Sequence, residues 1–362
     1  MVRYAWAALA LMACTDDVPT EETGAPVDTE APQDTSPPPN DDPGLAEWPQ
    51  AYQDFVTSFG GSNFVEVEGI NLHYVQSGPA DASEAVLLVH GIPVHAYLWR
   101  NVLGQLGDRR VIAFDLVGYG RSDRPDTFAY TPASQVPIME GLVEALNLDE
   151  VHLVVQDLGG LVGLRWAADH PDEVQSITMF ETLWSTIPDG IDAVPAPFGG
   201  VGGLLDQMRD PVTGPVLVGE KNIFLATLPS FTVNGLSKEV QEVYQHPWPL
   251  AEERARVLRT SGPIQFPFPA DPAAEAFVRV AQDYLEASPT PKLVIDVTPG
   301  ALSAVMVPED GGDGKRVRQP EYAAAAFPNV TSATLTPGGH FVQEDLPNSL
   351  SETISSFLNG LD

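Results

Sequence analysis

Residues 151–166, with the sequence VHLVVQDLGGLVGLRW, place a carboxylate where an apolar strand turns into a helix. Residues 151–155 are apolar and mostly β-branched, a pattern typical of a buried parallel strand. The two glycines after Asp157 let the helix approach the strand without Cβ clashes, and the helix N-terminus supplies backbone N–H groups. A plain N-cap is the alternative for a single Asp here. The rest of the chain favours a nucleophile elbow with Asp157 at its apex.

A histidine and a second acid stand where they could serve such a nucleophile. His340 lies in the sequence GGHF, after the last predicted strand and before the last helix. Glu181 ends the strand that follows the elbow helix, at the edge of the sheet where sites form. His340 can act as a base, and Glu181 can orient it and stabilise the imidazolium. Asp296 is a rival acid, but it lies inside a strand and would point into a layer interface, so Glu181 is favoured.

Backbone donors for an oxyanion are predicted beside the elbow. The sequence HGIP at residues 90–93 follows a fully apolar strand. The backbone N–H of Ile92, together with that of Leu158, would point at an oxygen above the elbow. Two such donors make an oxyanion hole. The segment 115–125 has a turn composition and is interpreted as structural support for the floor of the site.

The elements that must position these residues alternate between strands and helices. This alternation predicts an α/β fold with a mostly parallel, doubly wound sheet and an antiparallel hairpin at one edge. The alternation of strands and helices stops between about residue 184 and residue 285. This segment is interpreted as an inserted, mainly helical cap. The predicted strands are 64–68, 70–75, 86–90, 110–115, 151–155, 174–181, 292–297 and 331–336, and further helices are predicted near 97–106, 132–146 and 350–358.

The amino-terminal residues 1–14 predict a lipoprotein-type signal peptide. Arg3 precedes a short apolar run that ends in LMAC, which resembles a bacterial lipobox, and Cys14 is the only cysteine of the chain. The run is shorter than the roughly 20 residues that span a bilayer. The protein is therefore expected outside the cytoplasm, in the periplasm or on the cell surface, attached to a membrane only by a lipid on Cys14. An ordinary signal peptide with a chance cysteine, or a mis-assigned start, is the alternative.

The charge of the chain is concentrated on acidic residues. Its formal net charge is -32, and the acidic, Pro- and Thr-rich segment 15–44 contributes much of the excess. This segment has too few large apolar residues to fold and is predicted to be a disordered linker before the globular domain, residues 45–362. Nucleic-acid binding is excluded as a function class, because phosphate contacts need clustered Lys and Arg.

Several motifs resemble those of haloalkane dehalogenases of the α/β-hydrolase superfamily. They are HGIPVHAYLWRNV, FDLVGYGRSDRPD, VHLVVQDLGGLVGLRWAADHP, SPTPKLVIDVTPGAL and GGHFVQEDLP, with Glu181 at its strand end. The resemblance implies an α/β-hydrolase fold and a hydrolase that acts on a small apolar substrate. By position it makes Asp157 the nucleophile, His340 the base and Glu181 the acid, with Ile92 and Leu158 as oxyanion amides. A covalent alkyl ester would form and break, so no metal or organic cofactor is implied.

The chain departs from this family at the halide site. The family usually has a Trp after the nucleophile and often an Asn in the HGxP loop, and their side chains bind the halide. Here these positions hold Leu158 and Ile92, whose side chains have no N–H donor. A halide leaving in a dry apolar pocket needs such donors. Trp184 and Trp248 in the cap are the candidate replacements.

Three other functions stay open from the sequence. An epoxide hydrolase would use the same Asp–His pair, with cap tyrosines as acids, and Tyr244 and Tyr284 are the tyrosines of the cap segment. A hydrolase with an Asp nucleophile and another substrate is the second. The third is a surface-displayed binding protein whose site has decayed, although decay would not be expected to spare Asp157, Glu181 and His340 together.

Overall fold

The computed structural model describes residues 42, 44–185, 207–208, 210–261, 272–308 and 316–361. The predicted signal peptide with Cys14 lies outside these residues, and so does nearly all of the predicted linker. Within the described ranges, no helix combines the length and the apolar character that crossing a membrane requires.

Eight strands form one mostly parallel sheet, which confirms the predicted α/β class. The strand order is β1-β2-β4-β3-β5-β6-β7-β10, and only the pairs that involve β2 are antiparallel. The strands β8 and β9 form a separate antiparallel pair. The strands are β1 Asn63–Val67, β2 Ile70–Ser77, β3 Glu84–Val89, β4 Arg110–Phe114, β5 Glu150–Asp157, β6 Val174–Thr182, β7 Lys292–Pro299, β8 Met306–Pro308, β9 Arg316–Arg318 and β10 Val330–Gly338.

The order of the strands fixes where a site can form. From β3 the chain passes to β4 on one side, and then to β5 on the other side of β3. In such sheets the crevice for a ligand opens at the carboxyl ends of the strands that flank this reversal. Here the two ends are the Gly91–Ile92 turn after β3 and Asp157 at the end of β5. The apolar runs of both strands are buried on both faces, which holds these ends rigidly.

The helices are mostly where the hydrophobic periodicity predicted them. A helix predicted near 97–106 is wrong: a 3-10 helix covers Ala96–Trp99 and the chain then turns, in a stretch that contains Gly104 and Gly107. The helices are α1 Gln50–Ser58, α2 Pro132–Ala145, α3 Leu158–Asp169, α4 Ile223–Ala226, α5 Lys238–Gln245, α6 Ala251–Ser261, α7 Pro272–Ala287, α8 Gln319–Ala326, α9 Val342–Asp345 and α10 Pro347–Asn359, with a π-helix at Pro215–Glu220 and 3-10 helices at Leu45–Glu47 and Leu228–Phe231.

Two adjacent carboxylates on α9 join the segment between β6 and β7 to the core. Glu344 forms a bidentate pair with Arg100, at 2.7 and 2.6 Å, and accepts a hydrogen bond of 2.5 Å from the hydroxyl of Tyr244 on α5. Asp345 accepts the backbone N–H groups of Val233 and Asn234, and it also accepts the N–H of Gly339, at 2.8 Å. One carboxylate therefore holds the 233–234 loop against the loop that carries His340.

The substitution Asp345→Asn tests this connection. An amide has only one acceptor oxygen and no charge, so some of the donors that Asp345 binds would lose their partner. We expect the free energy of unfolding to fall by about 1.5–3 kcal/mol, the usual range for hydrogen bonds to a charged group. Urea denaturation of the full chain measures the change. The control is Asp283→Asn, an exposed carboxylate on α7, and an equal loss in both variants would contradict the interpretation.

Candidate active site

Asp157 adopts a backbone conformation that L-residues rarely take. Its φ is 51° and its ψ is -124°, at the junction of β5 and α3. Neighbouring glycines make this turn possible. A Cβ on Gly91 would collide with the side chain of Asp157, one on Gly159 with the carbonyl of Val89, and one on Gly160 with Thr182. Such strain is kept only where the surrounding structure enforces it, and it is concentrated at functional sites.

Both carboxylate oxygens of Asp157 have partners. Oδ1 accepts a hydrogen bond of 2.8 Å from the backbone N–H of Ile92, and Oδ2 lies 3.3 Å from Nε2 of His340. Leu158, the second predicted oxyanion residue, is the first residue of α3 and is buried. The side chain of Asp157 is only 7% exposed, so these contacts replace most of its hydration.

Glu181 holds the other side of the imidazole. Its Oε2 lies 2.9 Å from Nδ1 of His340. The same carboxylate accepts backbone N–H groups from Ala301, Leu302 and Ser303 at 2.8 to 3.0 Å. Burial alone would raise the pKa of Glu181, but the hydrogen bond and charge of His340 and the amide of Leu302 lower it below its ordinary value. Glu181 is therefore ionised at neutral pH.

The two carboxylates govern the protonation of His340. Burial alone would lower the pKa of this imidazole, yet the hydrogen bonds and charges of Asp157 and Glu181 raise it from its ordinary 6.5 to about 9. Resting His340 is therefore an imidazolium at neutral pH, between two carboxylates. The ring of Phe231, from the segment between β6 and β7, lies 5.8 Å from it and covers one side.

The structure brings together Asp157, Glu181 and His340. The other candidate residues, Asp296, Trp248 and Trp184, have partners of their own elsewhere. The rival acid Asp296 is paired with Arg318, at 2.9 Å, and not with the imidazole. The indole N–H of Trp248 donates to the carbonyl of Gly118 at 3.0 Å, so that donor is occupied. The ring of Trp184 packs against Tyr322 and Phe327, at 5.5 and 4.8 Å between centroids.

The segment 115–125, interpreted as support for the floor, contains a buried ionic network. Asp115 is fully buried and contacts Nδ1 of His73 at 2.7 Å. It also accepts the backbone N–H groups of Ala96 and Arg121, at 2.7 and 2.9 Å. Burial would raise the pKa of Asp115, but the charge of His73 and its hydrogen bond lower it. This network fixes the 3-10 helix that follows the Ile92 turn.

Sequence reasoning missed two residues that contact His340. Gln156, next to Asp157 in β5, reaches the imidazole with its side-chain amide at 3.1 Å. Phe231 belongs to the segment interpreted as the cap, and nothing in the sequence placed it there. The position of Gln156 directly before the elbow was the available signal, but the alternation of a strand would turn its side chain away from that of Asp157. The bend at the elbow removes that expectation.

A mostly parallel sheet with a nucleophile elbow between a strand and a helix is the arrangement of the α/β hydrolases. A family model described as alpha/beta hydrolase fold matches residues 84–217. A haloalkane dehalogenase of Agrobacterium fabrum is 32% identical over 295 residues, covering 80% of this chain and 89% of the relative. One of Sphingobium indicum UT26 is 34% identical over 319 residues, covering 84% and 97%. The chain belongs to the haloalkane dehalogenase family.

Solved structures agree with this assignment. The haloalkane dehalogenase DatA of Agrobacterium tumefaciens C58 superimposes with a TM-score of 0.73 at 30% identity, covering 84% of this chain and 99% of that one. The haloalkane dehalogenase DbeA of Bradyrhizobium elkani superimposes with a TM-score of 0.72 at 26% identity, covering 83% and 98%. Both matches extend over most of this chain.

The raised pKa of His340 predicts how stability depends on pH. Because its pKa in the folded protein exceeds the ordinary value, protonated His340 contributes stability that is fully present below pH 6.5 and is lost as the pH rises through about 9. This interval corresponds to roughly 3 kcal/mol. We expect the thermal midpoint of the native chain to fall over this range, and His340→Phe to remove most of the fall. His246→Asn is the control, and a fall of equal size in His340→Phe would contradict the assignment.

Proposed function

We propose that the chain hydrolyses carbon–halogen bonds of small apolar haloalkanes through a covalent ester on Asp157. The observation that carries this proposal is the 3.3 Å contact between Nε2 of His340 and Oδ2 of Asp157, at a strained elbow. A carboxylate at such an elbow can act as a nucleophile, and the imidazole beside it can act as a base once it has lost its proton. The relatives named haloalkane dehalogenases support the same reaction class.

In the first step, Oδ2 of Asp157 attacks the carbon that bears the halogen. The carbon–oxygen bond forms as the carbon–halogen bond breaks, and the halide leaves with the bonding electrons. Oδ1 stays on the backbone N–H of Ile92, so that oxygen becomes the carbonyl oxygen of the ester. The charge of the carboxylate has moved to the departing halide.

In the second step, His340 acts as a base toward water. Esterification removes the charge of Asp157, which is one of the two charges that raise the pKa of His340, so the imidazolium gives up its proton to solvent. Neutral Nε2 then takes a proton from a water molecule, and the water oxygen attacks Cγ of Asp157. The amides of Ile92 and Leu158 bind the oxyanion. When it collapses, the bond from Cγ to the alkyl oxygen breaks, and this oxygen takes the proton from Nε2 of His340 and leaves as the alcohol. The carboxylic acid of Asp157 then returns its proton to His340, which restores the resting pair. Glu181 stabilises the imidazolium that forms.

Among the residues that the structure describes, the candidate side chains for the leaving halide offer it few donors. The side chains of Ile92 and Leu158 are apolar and buried, and the N–H of Trp248 is occupied by Gly118. A halide in a dry pocket without donors is poorly stabilised. We therefore propose that the chain forms the ester slowly from simple haloalkanes. It would then hydrolyse the ester at a normal rate, because the groups that this second step needs are present.

The positions of the cap tyrosines weigh against the epoxide alternative. The hydroxyl of Tyr244 donates to Glu344, and that of Tyr284 lies 3.3 Å from the hydroxyl of Thr290. An epoxide hydrolase needs such hydroxyls to donate to the ring oxygen. The ordered contacts of Asp157 also weigh against a decayed binding protein, because a decayed site would not need to keep a strained elbow.

Replacing the nucleophile tests the proposal directly. Asp157→Asn removes the attacking oxygen anion, so we expect halide release from a panel of chloro-, bromo- and iodoalkanes to fall by about 10⁴-fold or more, as when other nucleophiles are removed. Ion chromatography of the released halide gives the rate. Asp169→Asn, at the far end of α3, is the control and should retain the native rate. Undiminished turnover by Asp157→Asn would show that another group carries the reaction.

Restoring the missing donors tests the account of the halide site. In the double variant Ile92→Asn with Leu158→Trp, two side-chain N–H groups stand beside the oxyanion amides. A correctly placed donor in such a site is worth about 100- to 1000-fold in rate. We expect single-turnover ester formation to accelerate while ester hydrolysis stays unchanged. The same experiment with Leu158→Phe controls for side-chain size, and no gain in a folded double variant would refute the explanation.

A further inference from the structure

Gln156 is buried against the imidazole of His340. It lies in β5 immediately before the elbow, and its side chain is inaccessible to solvent. Its amide nitrogen Nε2 lies 3.1 Å from Nε2 of His340 and 3.3 Å from the backbone carbonyl oxygen of the same residue. Its carbonyl oxygen Oε1 is buried and has no hydrogen-bond partner within the part of the chain that the structure describes.

The orientation of this amide follows from its surroundings. The carbonyl of His340 can only accept a hydrogen bond, so the amide group that faces it must be the NH₂. The opposite orientation would set two carbonyl oxygens against each other and bury the NH₂ without an acceptor. The NH₂ has two hydrogens, one for the carbonyl and one for Nε2 of the imidazole. That second hydrogen bond requires a lone pair on Nε2, which exists only while His340 is neutral.

The charged groups around His340 favour its protonated form, in contrast to Gln156. Asp157 faces Nε2 and Glu181 faces Nδ1, and both stabilise the imidazolium. The other side chains that contact the imidazole within the described residues are the rings of Phe231 and Phe341, which carry no charge. Gln156 is therefore the polar side chain that favours the neutral imidazole. Its unpartnered Oε1 is the cost of this arrangement, because a buried acceptor without a donor is unfavourable.

We propose that Gln156 is a positioning residue that favours the neutral form of His340, protonated on Nδ1, once Asp157 is esterified, and that the hydrolytic water then replaces the Gln156 amide at the lone pair of Nε2. This inference rests on the proposed function. In the resting protein the two carboxylates outweigh the amide, and His340 stays protonated. Once Asp157 is esterified, its charge is gone and the hydrogen bond from Gln156 acts together with that loss.

The test measures the pKa of His340 without relying on turnover. The full chain is labelled with ¹³C-histidine, and the His340 signal, one of seven, is assigned by its absence from His340→Phe. Titrations are recorded for the native protein and for Gln156→Met, which keeps the length of the side chain and removes its donors. They are repeated with Asp157→Asn, whose neutral amide stands in for the uncharged ester. We expect Gln156→Met to raise the pKa by about 0.5 to 1 unit in both backgrounds, the effect of one neutral hydrogen bond.

Gln282→Met is the matched control. Its amide on α7 donates to one acceptor, Glu286 at 2.9 Å, and has an unpartnered, buried Oε1. It bonds none of the groups that hold Glu181, Asp157 or His340, so its loss should leave the titration of His340 unchanged. A pKa that is unchanged or lowered in Gln156→Met would overturn the proposal, and so would an equal rise in Gln282→Met.

A second variant and a pH profile of ester hydrolysis test the same role of Gln156. If Gln156→Met does not fold by near-ultraviolet circular dichroism, Gln156→Asn retracts the amide by one methylene and should raise the pKa in the same direction. Where the ester forms, single-turnover hydrolysis followed against pH should have its acidic limb displaced upward in these variants. Failure to form any ester would refute the proposed function, yet the titration would still decide the role of Gln156.

Discussion

The structure depends on keeping a chain of three buried ionisable groups, Glu181, His340 and Asp157, at the carboxyl edge of the sheet. Removing charges from water is costly unless hydrogen bonds replace the lost hydration. Here the replacement is mainly backbone: the Ile92 amide binds Asp157, and three consecutive amides bind Glu181. Both acids have positive φ, 51° and 45°, so the strand ends bend to aim the carboxylates at one imidazole. The two carboxylates can lie this close together because the imidazole of His340 between them is protonated.

The segment between β6 and β7 is tied to this same region. The carboxylates that follow His340 in the chain, Glu344 and Asp345, hold Tyr244 and the 233–234 loop, and the carbonyl of Phe231 accepts the N–H of Phe341 at 3.2 Å. His340 therefore lies in a loop that is bonded to this segment through Asp345 and Phe341. A displacement of the segment would change the environment of the imidazole.

Much of the fold and the main site residues could be predicted from sequence, because their signals are local. Apolar runs predicted the central strands, and a carboxylate followed by two glycines predicted the elbow at Asp157. Features that depend on contacts between distant segments could not be predicted. The indole of Trp248 reaches the carbonyl of Gly118 across more than one hundred residues, and the amide of Gln156 meets an imidazole 184 positions away. No composition or periodicity encodes such pairs.

The family assignment and the halide site lead to different expectations for the two half-reactions. In the proposed mechanism, ester hydrolysis uses two backbone amides and the side chains of Asp157, Glu181 and His340, and the structure places these three side chains in contact. The same proposal assigns the halide to side-chain donors, and the side chains of Ile92 and Leu158, at the positions that the sequence resemblance indicates, are apolar. Membership of the haloalkane dehalogenase family therefore supports the proposed nucleophile, Asp157, more strongly than it supports a halide as the leaving group.

The most direct test of the account is the intact mass of His340→Phe after incubation with haloalkanes. Without its base, the protein should retain the ester, so we expect an added mass of one alkyl group, which peptide mapping places on Asp157 and which is absent when Asp157→Asn is added. A hydroxyalkyl adduct formed only from epoxides would move the chain to another reaction class. A folded His340→Phe variant that gains no mass, from a native protein that releases halide, would contradict the covalent mechanism.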